Sequence, residues 1–123
     1  MGLDDLNRSV MRAILHAEAL PPGSWEAERA FRDVADLEEG IAAVVGAHTV
    51  EGEVARLGAV TASMSAADLV RAVQMAERYL ADSLSGSARA KLRELHAEAE
   101  AEIARAATAA PNVDPIPFIW RAA

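Results

Sequence analysis

Histidines and carboxylates are the residues of this chain that could bind a metal ion. The three histidines are His16, His48 and His96. Helical di-iron proteins place the motif Glu-x-x-His on two of their helices. None of the histidines here has a glutamate three positions before it, so the di-iron motif is absent from the sequence.

Two histidine–glutamate pairs leave a weaker metal hypothesis open. His48 with Glu51, and His96 with Glu100, share a helix face if each helix is continuous. Such pairs also occur as weak ion pairs on solvated helices. Because the ligand spacing of a zinc or transition-metal site is missing, we expect no metal and no cofactor. A ligand- or metal-binding protein, or an enzyme, built on these histidines and nearby carboxylates is the alternative function.

Glu38 stands out because it lies within the apolar stripe of a predicted helix. Residues on that stripe include Phe31, Val34 and Ile41. Acidic side chains are seldom buried unless they are paired. We therefore expect Glu38 to lie at the flank of the stripe and to pair with an arginine. The alternative is a titratable group in a functional site.

Composition excludes several other kinds of chemistry. The chain has no cysteine, so thiol nucleophiles, thiolate zinc sites and iron–sulfur clusters are excluded. Its only lysine, Lys91, follows an alanine, so no phosphate-binding Gly-Lys loop exists. The sequence names no catalytic residue, and we expect a protein without catalytic activity.

Charge and hydropathy argue against nucleic acid and membranes as partners. Acidic residues outnumber basic ones by 19 to 12, and the arginines are scattered rather than clustered as phosphate binding requires. The longest strongly apolar run, residues 41–47, is far shorter than a membrane span. Acidic residues near the N-terminus do not resemble a secretory signal. We expect a cytoplasmic protein.

The segments that position these residues have the pattern of α-helices. Alanine, the best helix former, occurs 29 times among 123 residues, and apolar residues recur at spacings of three and four. The first helix ends before Pro21, and Ser24 caps a second that starts at about Trp25. This second helix runs through Gly40, or breaks there. A third covers roughly residues 50–64.

Two further helices are predicted in the second half of the chain. Residues 65–68 resemble a capping box, with Asp68 in place of glutamate, and open a helix. Its predicted buried stripe is Leu69, Val73, Ala76, Leu80 and Leu84. Residues 85–87 cap a last helix that runs to about Ala110. We expect an all-α fold, a small antiparallel bundle of four to five helices over residues 1–110. An extended, proline-rich tail follows over residues 111–123.

The tail is the segment most typical of a binding function. It crowds large apolar side chains among prolines, and each such side chain left in water forgoes about 1.5–3 kcal/mol. Something should cover them: their own bundle, or another chain. We predict a helical assembly, adaptor or accessory subunit that uses this tail for self-association or to dock on a protein partner. The predicted partner-binding residues are Pro115, Ile116, Pro117, Phe118, Ile119 and Trp120.

Overall fold

The fold is all-α and contains five helices over residues 2–109, the part of the chain that the computed structural model describes. The helices are α1 (Leu3–Glu18), α2 (Trp25–Val44), α3 (Val50–Ser65), α4 (Leu69–Leu80) and α5 (Gly86–Ala109). No strand occurs among these residues. The predicted all-α class is confirmed. The tail predicted for residues 111–123 lies outside the described residues.

Hydroxyl side chains start three of the helices. The Oγ of Ser24 accepts the N–H of Ala27 at 3.1 Å, as the sequence predicts for α2. Thr49 caps α3 in the same way, and Ser85 caps α5. Helix α2 continues through Gly40, so the alternative break there is wrong.

The junction between α3 and α4 differs from the predicted capping box. Ser65 is the last residue of α3, and the side chain of Asp68 makes no capping hydrogen bond. The chain instead turns through Ala67, whose φ of 58° is left-handed. The N–H of Asp68 bonds to the carbonyl of Ser63, and that of Ala67 to the carbonyl of Met64. These bonds form a Schellman motif that ends α3.

Successive helices pack antiparallel around α3. Helix α1 packs on α2, α2 on α3, and α3 on both α4 and α5, which also pack on each other. Arg56 of α3 bonds to the carbonyl of Ala42 near the end of α2, and Ser63 near the end of α3 contacts Met75 of α4. Arg56 also lies over the ring of Tyr79. Tyr79 follows Met75 in α4 whereas Arg56 precedes Ser63 in α3, so these two helices run in opposite directions.

Small side chains dominate the core. Of the 21 buried hydrophobic residues in the described part of the chain, 13 are alanines, so helices can approach closely. None of the helices in residues 2–109 has the length and apolar content needed to cross a membrane.

The buried stripe of α4 agrees with the prediction in part. Its buried residues are Ala72, Met75, Ala76 and Tyr79, so Ala76 is confirmed, whereas the predicted Leu69, Val73 and Leu80 are only partly buried. Small alanines let this face of α4 approach α3 and α5, and the leucines lie at the edges of the contact.

Candidate functional site

Two cavities that share Glu38 form a groove on the surface of the bundle. The first, of about 200 Å³, is lined by residues that include Asn7, Ile41 and Val54. The second, of about 270 Å³, is lined by residues that include Phe31 and Gly58. In both, α2 supplies the floor while α1 and α3 supply the walls. We call the two cavities together the α1/α3 groove.

The groove follows from the way the first three helices pack. Both α1 and α3 pack on α2, and no extensive packing joins α1 to α3. The residues Val54, Gly58 and Thr61 of α3 line the groove at spacings of four and three. Arg56 and Ser63, on another face of the same helix, contact the α4–α5 side of the bundle. One face of α3 is thus covered and the other borders open space.

Glu38 lies at the middle of the groove and has no partner within residues 2–109. Its relative exposure is 7%, and burial is the only cause of its pKa shift, without a hydrogen bond or nearby charge. The expectation that an arginine pairs with Glu38 is therefore wrong for the described residues. Every fully enclosed side-chain nitrogen or oxygen in this part of the chain has a hydrogen-bond partner. The unpartnered carboxylate of Glu38 consequently opens onto the cavities.

A glycine on the facing helix makes room for this carboxylate. A Cβ built on Gly58 would overlap Oε2 of Glu38. Glycine inside a helix costs about 1 kcal/mol relative to alanine. The absence of a side chain at Gly58 thus leaves the space that the carboxyl group of Glu38 occupies.

The electrostatic environment of the groove is acidic. Burial raises the pKa of Glu38 to about 7 because desolvation penalises the charged carboxylate. The other ionisable residues that line the cavities are Glu51, on α3, and Glu18, on α1. No basic residue of the described chain lines either cavity. The groove is therefore suited to a positively charged group with apolar surroundings.

Arg56, a second nearly buried charge, is fully engaged in the fold. Its Nε lies 2.9 Å from Oδ2 of Asp82, and its terminal nitrogens donate to the carbonyls of Ala42, Val45 and Gly52. These bonds tie the end of α2 to the start of α3 and to the α4–α5 connection. Nothing local in the sequence distinguishes this arginine from the exposed ones, so its role could not be predicted.

The structure brings one of the histidines together with carboxylates. Nε2 of His96 lies 2.9 Å from Oε2 of Glu77, and Nδ1 lies 3.3 Å from Oε1 of Glu100. The predicted pairing of His96 with Glu100 is confirmed. One ligand atom from each of these residues lies within 4.8 Å of the others. The group could hold a metal ion between α4 and α5.

The other two histidines lie elsewhere. His48 precedes the first residue of α3, Val50, so the helix face that it was expected to share with Glu51 does not form. His16 borders a third cavity, between α1 and α2, together with Trp25. The predicted partner-binding residues 115–120 lie outside the described residues.

Comparison with known proteins identifies no relative: no protein-family model, no curated protein and no solved structure matches this chain significantly.

Proposed function

We propose that this protein is a non-catalytic assembly subunit that self-associates by placing residues 111–123 of one copy in the α1/α3 groove of another. The observation that carries the proposal is the open groove between α1 and α3. Its exposed wall includes Val50 and Val54, with relative exposures of 75% and 58%. A segment docked in the groove would remove these apolar side chains from water, which is favourable.

The composition of residues 111–123 complements the groove. The segment contains four large apolar residues, Ile116, Phe118, Ile119 and Trp120, and one basic residue, Arg121. The groove offers apolar walls and a carboxylate at its centre. Thirteen extended residues span about 40 Å, which is ample for a segment that lies along a helix groove.

The position of α5 favours docking on a second copy. Helix α5 packs on α4 and α3, and Arg56 and Ser63 of α3 face that side, whereas Val54 and Gly58 face the groove. Residues 100–109 are exposed except for the partly buried Ile103, and ten helical residues extend about 15 Å. Helix α5 thus makes no extensive contact with α1 or α2, the other two helices that line the groove.

Reciprocal exchange of the two segments closes the assembly as a dimer. Each copy then supplies one segment and one groove, as two-fold symmetry requires. One-way docking would instead leave a free groove and a free segment, and would build open chains. We expect the dimer.

Light scattering on the full-length protein tests this function. The wild-type chain is expected to be dimeric, and the double variant Phe118→Ser/Trp120→Ser is expected to be monomeric with unchanged helical circular dichroism. A matched control replaces two exposed apolar residues outside the groove, Trp25→Ser/Val70→Ser, and should remain dimeric. A monomeric wild type contradicts the proposal, as does loss of helicity in the tail variant, which would assign the tail to its own core.

Divalent metal binding at His96 is the second candidate function. The specific observation is the convergence of Glu77, His96 and Glu100, a nitrogen and carboxylate set that suits Zn²⁺. Titration with zinc chloride in a calorimeter is expected to show one saturable site that His96→Ala removes and His48→Ala leaves intact. Absence of saturable heat in the wild type would dismiss this function.

A further inference from the structure

We infer that Glu38 is the recognition point for one organic cation in the α1/α3 groove, and that in the assembled protein this cation is the guanidinium of Arg121 from a second copy. The inference rests on the proposed self-association. It assigns to Glu38 the recognition of the docking segment through the positive charge of that segment.

The first step is the state of the carboxylate. Glu38 is more than nine-tenths buried, and none of the hydrogen bonds or ion pairs among residues 2–109 involves it. A buried charge without a partner is costly. Gly58 leaves the space that this carboxylate occupies. The site is thus a carboxyl group held without a partner, and a bound cation would supply the counter-charge that its ionised form lacks.

The second step is the chemistry of the surroundings. On one side of Glu38 lie Ile14 and Phe31, on the other Ile41 and Val54. A ligand that pairs with the carboxylate therefore places apolar groups on either side of its cation. An anionic ligand would meet two further acidic residues, Glu18 and Glu51, and no compensating base.

The third step is the source of the cation. Among residues 110–123, Arg121 is the only basic residue, and it directly follows Ile119 and Trp120. A guanidinium can form two parallel hydrogen bonds with a carboxylate. Placing Trp120 and Ile119 in the apolar part of the groove brings the guanidinium to the neighbourhood of Glu38.

Pairing makes assembly dependent on pH. In the empty groove the pKa of Glu38 is about 7, so docking of a cation displaces a proton below that pH. The groups that face the same groove from α1 and α3 are Glu18 and Glu51. With one such site in each copy, we expect the dimer dissociation constant to fall about 100-fold from pH 6 to pH 8, about tenfold for each site.

A double-mutant cycle on the full-length protein tests the pairing. Sedimentation at pH 8 is expected to show that Glu38→Gln and Arg121→Gln each raise the dissociation constant at least about tenfold. The double variant should be no weaker than the weaker single variant, and Glu38→Gln should abolish the pH dependence. The matched controls Glu98→Gln and Arg93→Gln alter exposed residues of α5 and should stay within about twofold of wild type.

The outcomes separate this inference from the proposed function. A dimer in which the two substitutions are additive, or without effect, overturns the Arg121–Glu38 pair while self-association stands. If the wild type is monomeric, the function fails, and benzylammonium then serves as the probe of the site. Saturable binding that Glu38→Gln removes would support cation recognition with another source for the cation. Absence of binding would overturn the site itself.

Discussion

A nearly buried ionisable side chain lies on each of two sides of α3, and the two differ in their hydrogen bonding. Arg56 belongs to α3 itself, and Glu38 belongs to α2 and faces the groove side of α3. Arg56 and Glu38 have relative exposures of 8% and 7%. Arg56 makes four hydrogen bonds, one to Asp82 and three to backbone carbonyls. Glu38 makes none within the described residues. The arginine therefore stabilises the fold, whereas the carboxylate lowers its stability and is available to a ligand.

The first prediction concerns removal of the guanidinium of Arg56, which is hydrogen-bonded within the fold. Arg56→Met keeps the apolar stem but leaves Asp82 and three carbonyls without their donor. The side chain of Asp82 is partly exposed, so the loss comes mainly from the carbonyls that the arginine leaves unsatisfied. Because each buried polar group without a partner costs about 1–3 kcal/mol, urea denaturation is expected to show a loss of about 2–4 kcal/mol. Arg32→Met, at an exposed position, is the control and should change stability by less than about 0.5 kcal/mol. A loss below about 1 kcal/mol for Arg56→Met would remove the contrast between the two sides.

The second prediction concerns the unpaired charge. The pKa of Glu38 in the folded state is raised from 4.5 to about 7, so folding favours the protonated form. The stability linked to this proton is complete below about pH 4.5 and is lost as the pH rises to about 7, with a change of up to about 3 kcal/mol. Glu38→Gln should therefore match the reference protein at low pH and exceed its stability at pH 8.

The measurement uses the Phe118→Ser/Trp120→Ser background, which is expected to be monomeric with an empty groove. Denaturation at each pH is compared between this background and the same background carrying Glu38→Gln, because other groups titrate as well. Burial alone would raise the pKa of Glu39, but hydrogen bonds from Arg78 and Arg71 lower it overall. The stability that Glu39 contributes is lost at low pH. Both proteins contain Glu39, so this loss cancels when their free energies of unfolding are subtracted. Equal stability of the two proteins at pH 8 would show that the groove does not penalise the charge.

Sequence reasoning predicted the helices well because their signals are local. Ser24 and the turn before it mark the start of α2, and apolar spacing identifies the extent of α1 and α5. The α3–α4 junction was predicted wrongly because the Schellman motif depends on Ala67 adopting a left-handed conformation that alanine rarely favours. The stripe of α4 was predicted only in part: Ala76 is buried, but Leu69 and Leu80 lie at its edges, because neighbouring apolar rows on one helix have the same periodicity.

The candidate site could be predicted only in part. Glu38 was recognisable as a carboxylate in an apolar stripe, but its lack of a partner depends on how α2 crosses α3. That crossing brings Gly58 against Glu38 and sends Arg56 toward Asp82. Which arginine lies near which acid is a property of tertiary packing, and a single sequence carries no direct signal for it.

The last prediction uses two glycines of α3 to test whether the groove side of this helix accommodates an added methyl group more easily than the covered side does. A Cβ on Gly52 would overlap the backbone carbonyl oxygen of Gly46, whereas a Cβ on Gly58 would overlap only the carboxylate end of Glu38. A backbone neighbour cannot rotate away, so Gly52→Ala should destabilise the protein by about 1–3 kcal/mol. The flexible side chain of Glu38 can move into the groove, so the gain in helix propensity of about 1 kcal/mol should largely offset the effect of Gly58→Ala.

Gly40→Ala, at an exposed helical position with no close neighbour, reports that propensity gain alone in the same thermal unfolding measurement. If Gly58→Ala costs as much as Gly52→Ala, Glu38 is held as rigidly as the backbone, and the groove is a packed part of the core rather than a site prepared for a ligand.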